Sequence, residues 1–441
     1  MASSRKSQPS LKLGKRIAVA LSGGLDSVVL LDTVCKSAMA SKHPPEIWAF
    51  HIHHGLQKAA DEWFIFCEKL ANKYQIQFDF RLLHLGEDAK QGNVEARARS
   101  ARYEALAELC TDHDIQDLML AHHQNDQAET VLLQLLRGSG VAGLAAMSEA
   151  REIKHAETAI TLWRPLMEQS KADFEAYAKT HKLKWIEDPS NQDIQYRRNA
   201  IRKDIIPRLE KIQPDATANL ARSAKVLAQS QILLDRLAKQ DGKLCIEKSG
   251  LKVAPLISLA ENDLPAANNV VRYWLKTNEL AMPSQERLAA WWKDLVGAKK
   301  DAQLEWLHDE HKIRLWRGQL LIAQEDAQKG KWIFKKLSSK SKEPGLPAQW
   351  VQEAQKNGQI EIRPRLGAEK IQIKPNSPRK SLKNLFQEGD IPPWQRQAPL
   401  LFIQQELIAV AGVGVSYPQL VHSGPRVLPV WCQAGFEVKT L

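Results

Sequence analysis

The stretch RIAVALSGGLDS, residues Arg16–Ser27, decides the fold of the N-terminal part of this 441-residue chain. Its first half, Arg16–Leu21, is a short apolar run, which predicts a strand buried inside a parallel sheet. A turn with two glycines follows, and the apolar residues from Val28 onward predict a helix. A buried strand, a tight turn and a helix in this order place a loop at the carboxyl end of the strand, where α/β proteins bind ligands.

The loop has the residue types that a phosphate site requires. Glycines let the backbone approach a ligand, and the N–H groups at a helix N-terminus carry partial positive charge. Hydroxyls can add donors, but Asp26 would repel phosphate, so we expect it to hold a Mg²⁺ that bridges phosphate oxygens. The alternative is an ordinary turn with serine capping the helix, and the Walker A pattern is absent. The expected ATP-binding residues are Ser22, Gly23, Gly24, Leu25, Asp26 and Ser27.

A second group of polar residues lies in Leu120–Gly140, which reads LAHHQNDQAETVLLQLLRGSG. Asp126 and Glu129 open a predicted helix, and residues three apart share one helix face. Parallel strands end at one edge of their sheet, so we expect these carboxylates to meet the Ser22–Ser27 loop. They suit a second metal contact or a general base, although acids at a helix start also favour the helix dipole alone. The adjacent histidine pair lacks an evident third metal ligand.

The rest of the chain suggests three folded parts. Up to about residue 212, short apolar strands alternate with amphipathic helices, which predicts an α/β domain with a parallel, Rossmann-like sheet. Helical spacing dominates in 213–325, and residues 326–355 are predicted to be a linker, because the lysine-rich stretch Glu325–Pro347 is typical of a linker or an exposed hairpin. The β-like alternation in 356–441 predicts a small α+β domain. The predicted strands are Glu46–Ile52, Gln77–Leu85 and Asp117–Ala121, and the predicted helices include Asp61–Tyr74, Asn93–Cys110 and Asn125–Leu136.

Charge and cysteine usage narrow the class of partner. The net charge of +11 and the pI near 9.3 favour a polyanion such as a nucleic acid, although solubility alone could explain them. The five cysteines show no CxxC spacing, which argues against a zinc ribbon, an iron–sulfur site and a redox dithiol. Without an apolar leader or a bilayer-length apolar run, we expect a cytoplasmic protein with no membrane partner.

The motif SGGLDS resembles the signature of the N-type ATP pyrophosphatase (PP-loop) superfamily, whose members split ATP into AMP and pyrophosphate. Further segments resemble the tRNA(Ile)-lysidine synthetase family over nearly the whole chain. These segments are His51–Leu56, Ala98–Tyr103, Arg137–Gly140, Glu187–Asn191, Tyr196–Arg202, Leu382–Phe386 and Ile391–Arg396. Two positions depart from the family pattern, because Asn125 replaces an acid and Ala368 replaces a glycine.

The resemblance implies a two-step ligation. The family attaches L-lysine to C2 of the wobble cytidine of tRNA(Ile) with a CAU anticodon, through an adenylated cytidine, and so switches decoding and charging from Met to Ile. Charge on the pentacoordinate phosphorus calls for arginine, whose fork of donors stabilises it. The expected catalytic residues are Asp26, Asp126, Glu129, Arg99, Arg102, Arg198 and Arg202. Any single arginine could instead be exposed helix charge, and the sequence does not separate base from metal-ligand roles for the two carboxylates of the second group.

The C-terminal part is expected to bind tRNA, and a homodimer is possible. Basic residues outnumber the single acid Glu369 in 363–383, and Trp394 could stack on a base or pack in a core. Two alternatives remain, a 2-thiocytidine synthetase on the same loop and a non-catalytic tRNA-binding protein. The first would need paired cysteines, and the acidic residues Asp26, Asp126 and Glu129 argue against the second. An amide-forming synthetase with a glutaminase partner fits the basic C-terminal part poorly.

Overall fold

The structure is a computed structural model that divides into two compact units, Met1–Leu234 and Asp235–Leu441. It describes residues 14–53, 58–83, 94–156, 158–187, 195, 197–248, 250–298, 304–323, 330–338, 341, 343–389, 391–397 and 399–433. Of the motifs above, residues 54–56, 188–191 and 196 lie outside this description. None of the helices in the described part of the chain is long and apolar enough to cross a bilayer.

The first unit contains a six-stranded sheet flanked by helices. Its strands are β1 (Arg16–Ala20), β2 (Glu46–His53), β3 (Gln77–Leu82), β4 (Asp117–Met119), β5 (Ala150–His155) and β6 (Thr158–Trp163). Its helices are α1 (Leu25–Met39), α2 (Lys58–Tyr74), α3 (Val94–Asp112), α4 (Gln124–Leu136), α5 (Val141–Leu144), α6 (Lys171–Thr180), α7 (Arg197–Ala200) and α8 (Ile206–Ile212), with a π-helical turn at Ile201–Ile205 between α7 and α8. Helix α9 (Ala216–Asp241) begins in this unit and contains the boundary between the two units.

The strand order β3-β2-β1-β4-β6-β5 confirms the predicted parallel α/β architecture. All neighbouring strands in this sheet are parallel except β5, which pairs antiparallel with β6. The chain leaves β1 toward β2 on one side and later returns to β4 on the other. The carboxyl ends of β1 and β4 therefore flank the point where the strand order reverses, which is where open α/β sheets bind ligands.

The apolar sequence of β1 is explained by burial on both faces. Ile17 and Val19 pack in a cluster with residues of α1 and α6, whereas Ala18 packs in a second cluster with residues of α3. Side chains alternate across a strand, so an uninterrupted apolar run is needed where helices cover both sides. This packing fixes the end of β1, and with it the start of the loop at Ser22.

The second unit combines a helical module with antiparallel sheets. Its helices are α10 (Val253–Asn262), α11 (Leu264–Thr277), α12 (Gln285–Gly297), α13 (Ala348–Lys356) and α14 (Leu382–Glu388). Its strands are β7 (Leu251–Lys252), β8 (Glu305–His308), β9 (His311–Trp316), β10 (Gln319–Ala323), β11 (Gly330–Lys336), β12 (Leu346–Pro347), β13 (Ile360–Arg363), β14 (Lys370–Ile371), β15 (Lys380–Ser381), β16 (Leu400–Ile403), β17 (Glu406–Val410), β18 (Gly414–Val415) and β19 (Arg426–Gln433). The sheets are β7-β10-β9-β8, β11-β19-β12, β13-β16-β17-β18 and β14-β15.

The described residues of the predicted linker at 326–355 include a strand and a helix. Strand β11 pairs with β19 along its whole length, from Gly330 opposite Gln433 to Lys336 opposite Val427. Helix α13 buries Val351 and Ala354 in an apolar cluster that also contains residues of β16 and β17. The lysines that suggested a linker flank the short apolar core of β11, and its partner strand lies near the end of the chain, so local composition gave no sign of the pairing. The predicted division into domains stays a prediction.

Candidate active site

The loop after β1 is a tight turn that only glycine fits at its second position. Gly23 has a φ of +85°, and a Cβ built there would lie 3.2 Å from the Sγ of Cys67. Its carbonyl accepts a hydrogen bond from the backbone N–H of Ile186 at 2.9 Å, which fastens a later segment to the loop. The buried ring of His51, from one of the family-like motifs, contacts the carbonyl of Leu21 at 2.8 Å. The loop is therefore held from two sides.

The two serines of the loop have different tasks. The Oγ of Ser27 is buried, donates to the carbonyl of Gly24 at 3.0 Å and accepts from the N–H of Ser22 at 3.2 Å. These bonds shape the turn at the start of α1. Ser22 is exposed, with its Oγ 3.2 Å from that of Ser27. Its exposed hydroxyl and the N–H groups at the start of α1 are the groups of the loop best placed to donate to an anion.

Asp26 lies in the first turn of α1 and faces two cationic or polar groups from other elements. The Nζ of Lys171 is 2.6 Å from its Oδ1, and the Nε2 of His123 is 3.6 Å from its Oδ2. Burial works against the charged carboxylate, but the contacts with His123 and Lys171 outweigh it and hold the pKa of Asp26 below its ordinary value. Asp26 is therefore ionised at neutral pH, with 36% of its side chain exposed.

The two acids of α4 form a network with two arginines. Asp126 accepts from the backbone N–H of His123 at 3.0 Å and from the Nη2 of Arg198 at 2.9 Å. Glu129 is fully buried, and its two oxygens receive the Nε of Arg198 at 2.6 Å, and the Nε and Nη2 of Arg202 at 2.6 and 3.0 Å. The expected meeting of these acids with the phosphate loop is achieved through His123, whose ring lies 3.6 Å from both Asp26 and Asp126.

This geometry gives the two acids of α4 different chemistry. Both oxygens of Glu129 are occupied by guanidinium groups and closed to solvent, so its position suits an anchor for Arg198 and Arg202. Asp126 keeps 13% of its side chain exposed. Burial opposes its charge, but His123 and Arg198 lower its pKa, so it too is ionised at neutral pH.

The π-helical turn brings two buried isoleucines to the same face of the chain. Ile201 at its start and Ile206 just after its end are both buried in a cluster with Ala128 of α4. Residues five apart point to different sides of an α-helix, whereas the wider π turn brings them to one face. The turn, which lies between Arg198 and the start of α8, thus packs α7 and α8 against α4.

Two further predicted arginines lie on α3. The guanidinium carbons of Arg99 and Arg102 are 5.7 and 6.0 Å from the centre of the Tyr103 ring. Burial lowers the pKa of Arg102, and the charges of Arg99 and Arg198 lower it further. No described carboxylate forms an ion pair with Arg99 or Arg102. The structure thus gathers an excess of positive charge next to the α4 network, which suits an anionic ligand.

Two residues that line this region were not among the predicted site residues. In the sequence, His123 is only half of the adjacent histidine pair of the second polar group, and Lys171 gives no signal because it is 145 positions from its partner Asp26. The neighbouring His122 is largely buried, which lowers its pKa and keeps it neutral. Within the described residues, no group of three or more potential ligands forms a ready metal cluster.

The cysteines do not form a reactive pair. All five are free and buried. Burial raises the pKa of Cys67, which lies against the loop, to about 12, and that of Cys110 to about 12. Thiols in this state are poor nucleophiles, which does not favour sulfur transfer by this chain.

Comparisons with known proteins agree with this geometry. A PP-loop domain model matches residues 3–209, a TilS substrate binding domain model matches 255–321, and a TilS substrate C-terminal domain model matches 360–422. The tRNA(Ile)-lysidine synthase of Burkholderia pseudomallei is 34% identical over 94% of this chain and 92% of its own length. Those of Ralstonia nicotianae and Shigella flexneri are 36% and 32% identical, over 90% and 96% of this chain and 88% and 97% of their own lengths.

The chain belongs to the tRNA(Ile)-lysidine synthase family. Membership confirms the resemblance drawn from the motifs, and the PP-loop model agrees with ATP use by the Ser22–Ser27 loop. The individual site residues stay predictions, now with positions in the structure.

Proposed function

We propose that this protein ligates L-lysine to C2 of the wobble cytidine in a tRNA(Ile) with a CAU anticodon, and splits ATP into AMP and pyrophosphate. The observation that carries the proposal is the position of the Asp126–Glu129–Arg198–Arg202 network beside the phosphate loop, in a chain that aligns with lysidine synthases over most of its length. The family names supply the substrate, and the geometry supplies groups suited to each chemical step.

The first step needs a pocket for the phosphates of ATP. The exposed hydroxyl of Ser22 and the N–H groups at the start of α1 can donate to phosphate oxygens. Asp26 is an ionised, partly exposed carboxylate, the kind of single ligand by which Mg²⁺ binds alongside substrate phosphates. When bound there, Mg²⁺ would neutralise charge on the phosphates. The four predicted arginines would stabilise the α-phosphorus while the cytidine O2 attacks it and the bond to the β-phosphate breaks.

The second step needs a site for the lysine side chain. The ε-ammonium of free lysine has a pKa of ~10.4, so it must lose a proton before the resulting amine attacks C2 and displaces AMP. Asp126 is partly exposed and ionised, which suits it to hold the ammonium, although its low pKa makes it a weak base. Glu129 would act as a positioning residue that directs Arg198 and Arg202.

The second unit offers a surface suited to RNA. Arg314 lies over the ring of Trp394 at 5.0 Å, Arg396 over Trp316 at 5.7 Å, and Arg365 over Phe386 at 5.1 Å. Trp394 is half-buried against Trp316, which fits packing better than base stacking. We assign tRNA binding to the predicted parts 213–325 and 356–441, and catalysis to 1–212. A cytoplasmic location and a homodimer belong to the same proposal, and light scattering of the purified protein would measure the oligomer.

The test is transfer of labelled lysine to tRNA. Purified protein, ATP, Mg²⁺ and labelled L-lysine should label tRNA(Ile) with a CAU anticodon and release one AMP per lysine. A transcript with uridine at the wobble position should stay unlabelled, because the proposed substrate is a cytidine. Chelation of Mg²⁺ should stop the reaction. Folded protein that binds tRNA without labelling it would contradict the proposal and favour a non-catalytic binding protein, and sulfur incorporation would favour a thiocytidine enzyme.

A further inference from the structure

The cation nearest the phosphate loop comes from a distant part of the chain. The loop Ser22–Ser27 contains no lysine or arginine. Among the described residues, Lys171 is the one lysine or arginine that forms an ion pair with a residue of the loop, through its Nζ and the Oδ1 of Asp26 at 2.6 Å. A phosphate-binding loop without its own cation needs one from elsewhere, because ATP carries several negative charges.

The backbone of Lys171 is held firmly. Lys171 is the first residue of α6, and its N–H donates to the Oδ1 of Asn125 at 2.9 Å. Ser170 caps the helix in a reciprocal pair of bonds with Asp173. Asn125 is one of the two departures from the family pattern, and here its amide oxygen ties the start of α6 to the start of α4. The root of the Lys171 side chain is therefore fixed beside the loop.

A second set of bonds fixes α6 against α1. The hydroxyl of Tyr177 on α6 donates to the Oδ2 of Asp32 at 2.7 Å, and Lys36 pairs with the same carboxylate at 2.8 Å. Phe174 and Ala178 of α6 are fully buried in the cluster that contains the apolar residues of α1. Asp26 and Lys171 thus start two helices that are packed rigidly on each other.

The end of the Lys171 side chain reaches solvent. Its side chain is 39% exposed, and that of Asp26 is 36% exposed. A lysine ammonium is a compact charge on a flexible four-carbon stem, so it can exchange one anionic partner for another nearby. An ion pair that is this exposed contributes little to stability, so stability alone does not account for its place at the loop.

We propose that Lys171 is a phosphate-binding residue of the ATP site, which pairs with Asp26 in the free enzyme and moves to the β- and γ-phosphates when ATP binds. The assignment rests on the proposed function for the identity of the nucleotide reaction. As the cytidine O2 forms its bond to the α-phosphorus, the bond to the bridging oxygen breaks and its electron pair stays on pyrophosphate. The ammonium of Lys171 donates hydrogen bonds to this leaving group and keeps its proton.

The test compares three ligands in the absence of tRNA. Binding of ATP, inorganic pyrophosphate and AMP is measured by calorimetry, with Mg²⁺ present, for the wild type, Lys171→Met and Lys171→Arg. The matched control is Lys179→Met, an exposed lysine on the same helix. Loss of a charge-assisted contact should weaken ATP and pyrophosphate binding ~10-fold to ~100-fold in Lys171→Met. AMP lacks the β- and γ-phosphates, so its affinity should change less than ~2-fold, and Lys171→Arg should recover most of the loss.

Two results would overturn the assignment. Lys171→Met could bind pyrophosphate as the wild type does, or it could lose affinity for AMP as strongly as for pyrophosphate, which would mark a general disturbance of the loop. Thermal unfolding of each variant checks that the fold is kept, and Lys171→Arg keeps the charge if Lys171→Met is unstable. Lysine transfer by the wild type is measured in parallel. If the wild type labels tRNA but Lys171→Met binds pyrophosphate normally, only the role of Lys171 is refuted. If Lys171→Met selectively loses pyrophosphate binding but the wild type labels no tRNA, only the proposed ligation is refuted.

Discussion

Arginine is used in two different ways in the two units. In the first unit, Arg198 and Arg202 share the buried carboxylate of Glu129, with donor–acceptor distances of 2.6 to 3.0 Å. In the second unit, Arg365 and Arg396 lie over aromatic rings at 5.1 and 5.7 Å. Burial, together with the charges of Arg365 and Arg317, lowers the pKa of Arg396, which shows a local excess of positive charge.

In the first unit the arginines are held in a fixed orientation, whereas in the second unit they attract a polyanion. A guanidinium that donates to a buried carboxylate points in one direction, and dissolved salt screens this ion pair little. A guanidinium on an aromatic ring keeps its charge available to a polyanion, and dissolved salt competes with that polyanion. The first arrangement suits a chemical step at one phosphorus, and the second suits the backbone of an RNA.

Removal of the shared carboxylate should have the largest effect. Glu129→Gln leaves Arg198 and Arg202 without a buried counter-charge, and loss of one partner of a buried ion pair costs about 3–5 kcal/mol. We expect that decrease in the free energy of unfolding in urea. Glu175→Gln on the exposed face of α6 is the control and should change stability by less than about 0.5 kcal/mol. Equal stability of the two variants would show that Glu129 does not hold the network together.

Replacement of one guanidinium by an ammonium should have the next largest effect. Arg198→Lys keeps the charge but cannot contact Asp126 and Glu129 through two separate nitrogens. We expect the rate of pyrophosphate release to fall ~100-fold, with little change in the KM for ATP, because the loss concerns the transition state. Arg208→Lys, at an exposed position of α8, should behave as the wild type. An unchanged rate in Arg198→Lys would mean that charge without direction is sufficient.

Arg396→Gln should have a smaller effect, on tRNA binding alone. The change removes a positive charge that lies over the ring of Trp316. We expect the tRNA affinity to fall ~10-fold, and the slope of the logarithm of the tRNA-binding constant against the logarithm of the salt concentration to decrease by about one unit. The ATP affinity should not change. Arg208→Gln, at an exposed position of α8 outside the parts assigned to tRNA binding, supplies the control. A loss that is the same at all salt concentrations would argue against a phosphate contact.

Arg379→Gln should have the smallest effect. This exposed residue belongs to the basic stretch 363–383, and no aromatic ring was found beneath its guanidinium in the described structure. We expect tRNA affinity to fall ~3-fold, which is less than for Arg396→Gln. Filter binding at several salt concentrations measures both variants together. If the two variants lose the same affinity, the aromatic rings contribute nothing to tRNA binding, and the distinction between the regions fails on that side.

The sequence predicted those parts of the site that depend on neighbouring residues. The Ser22–Ser27 loop follows from a buried strand, two glycines and a helix start, and the common face of Asp126 and Glu129 follows from their spacing. The meeting of these two segments follows from the rule for parallel strands. The first two inferences use contacts within one turn or one strand–helix connection, and the third uses a general rule for parallel sheets.

Contacts between distant segments were not predictable in the same way. The partners of Glu129 are 69 and 73 positions away, and the partner of Asp26 is 145 positions away. Arginines were expected at the site because the chemistry requires them, but no pattern indicated which carboxylate would hold them. The pairing of β11 with β19 was missed for the same reason, since the pairing partner of a strand is not written in its own composition.

The π-helical turn at Ile201–Ile205 makes this part of the chain more tolerant of losing one residue than of gaining one. Loss of one residue, for example Lys203, would allow a regular α-helix to form through the segment. Ile201 and Ile206 would then be four positions apart, a spacing that also shares one helix face, and both would keep their places in the apolar cluster around Ala128. One added residue would instead turn the following helix by about 100° and take Ile206 off that face. An inserted codon here would therefore be more harmful than a lost one.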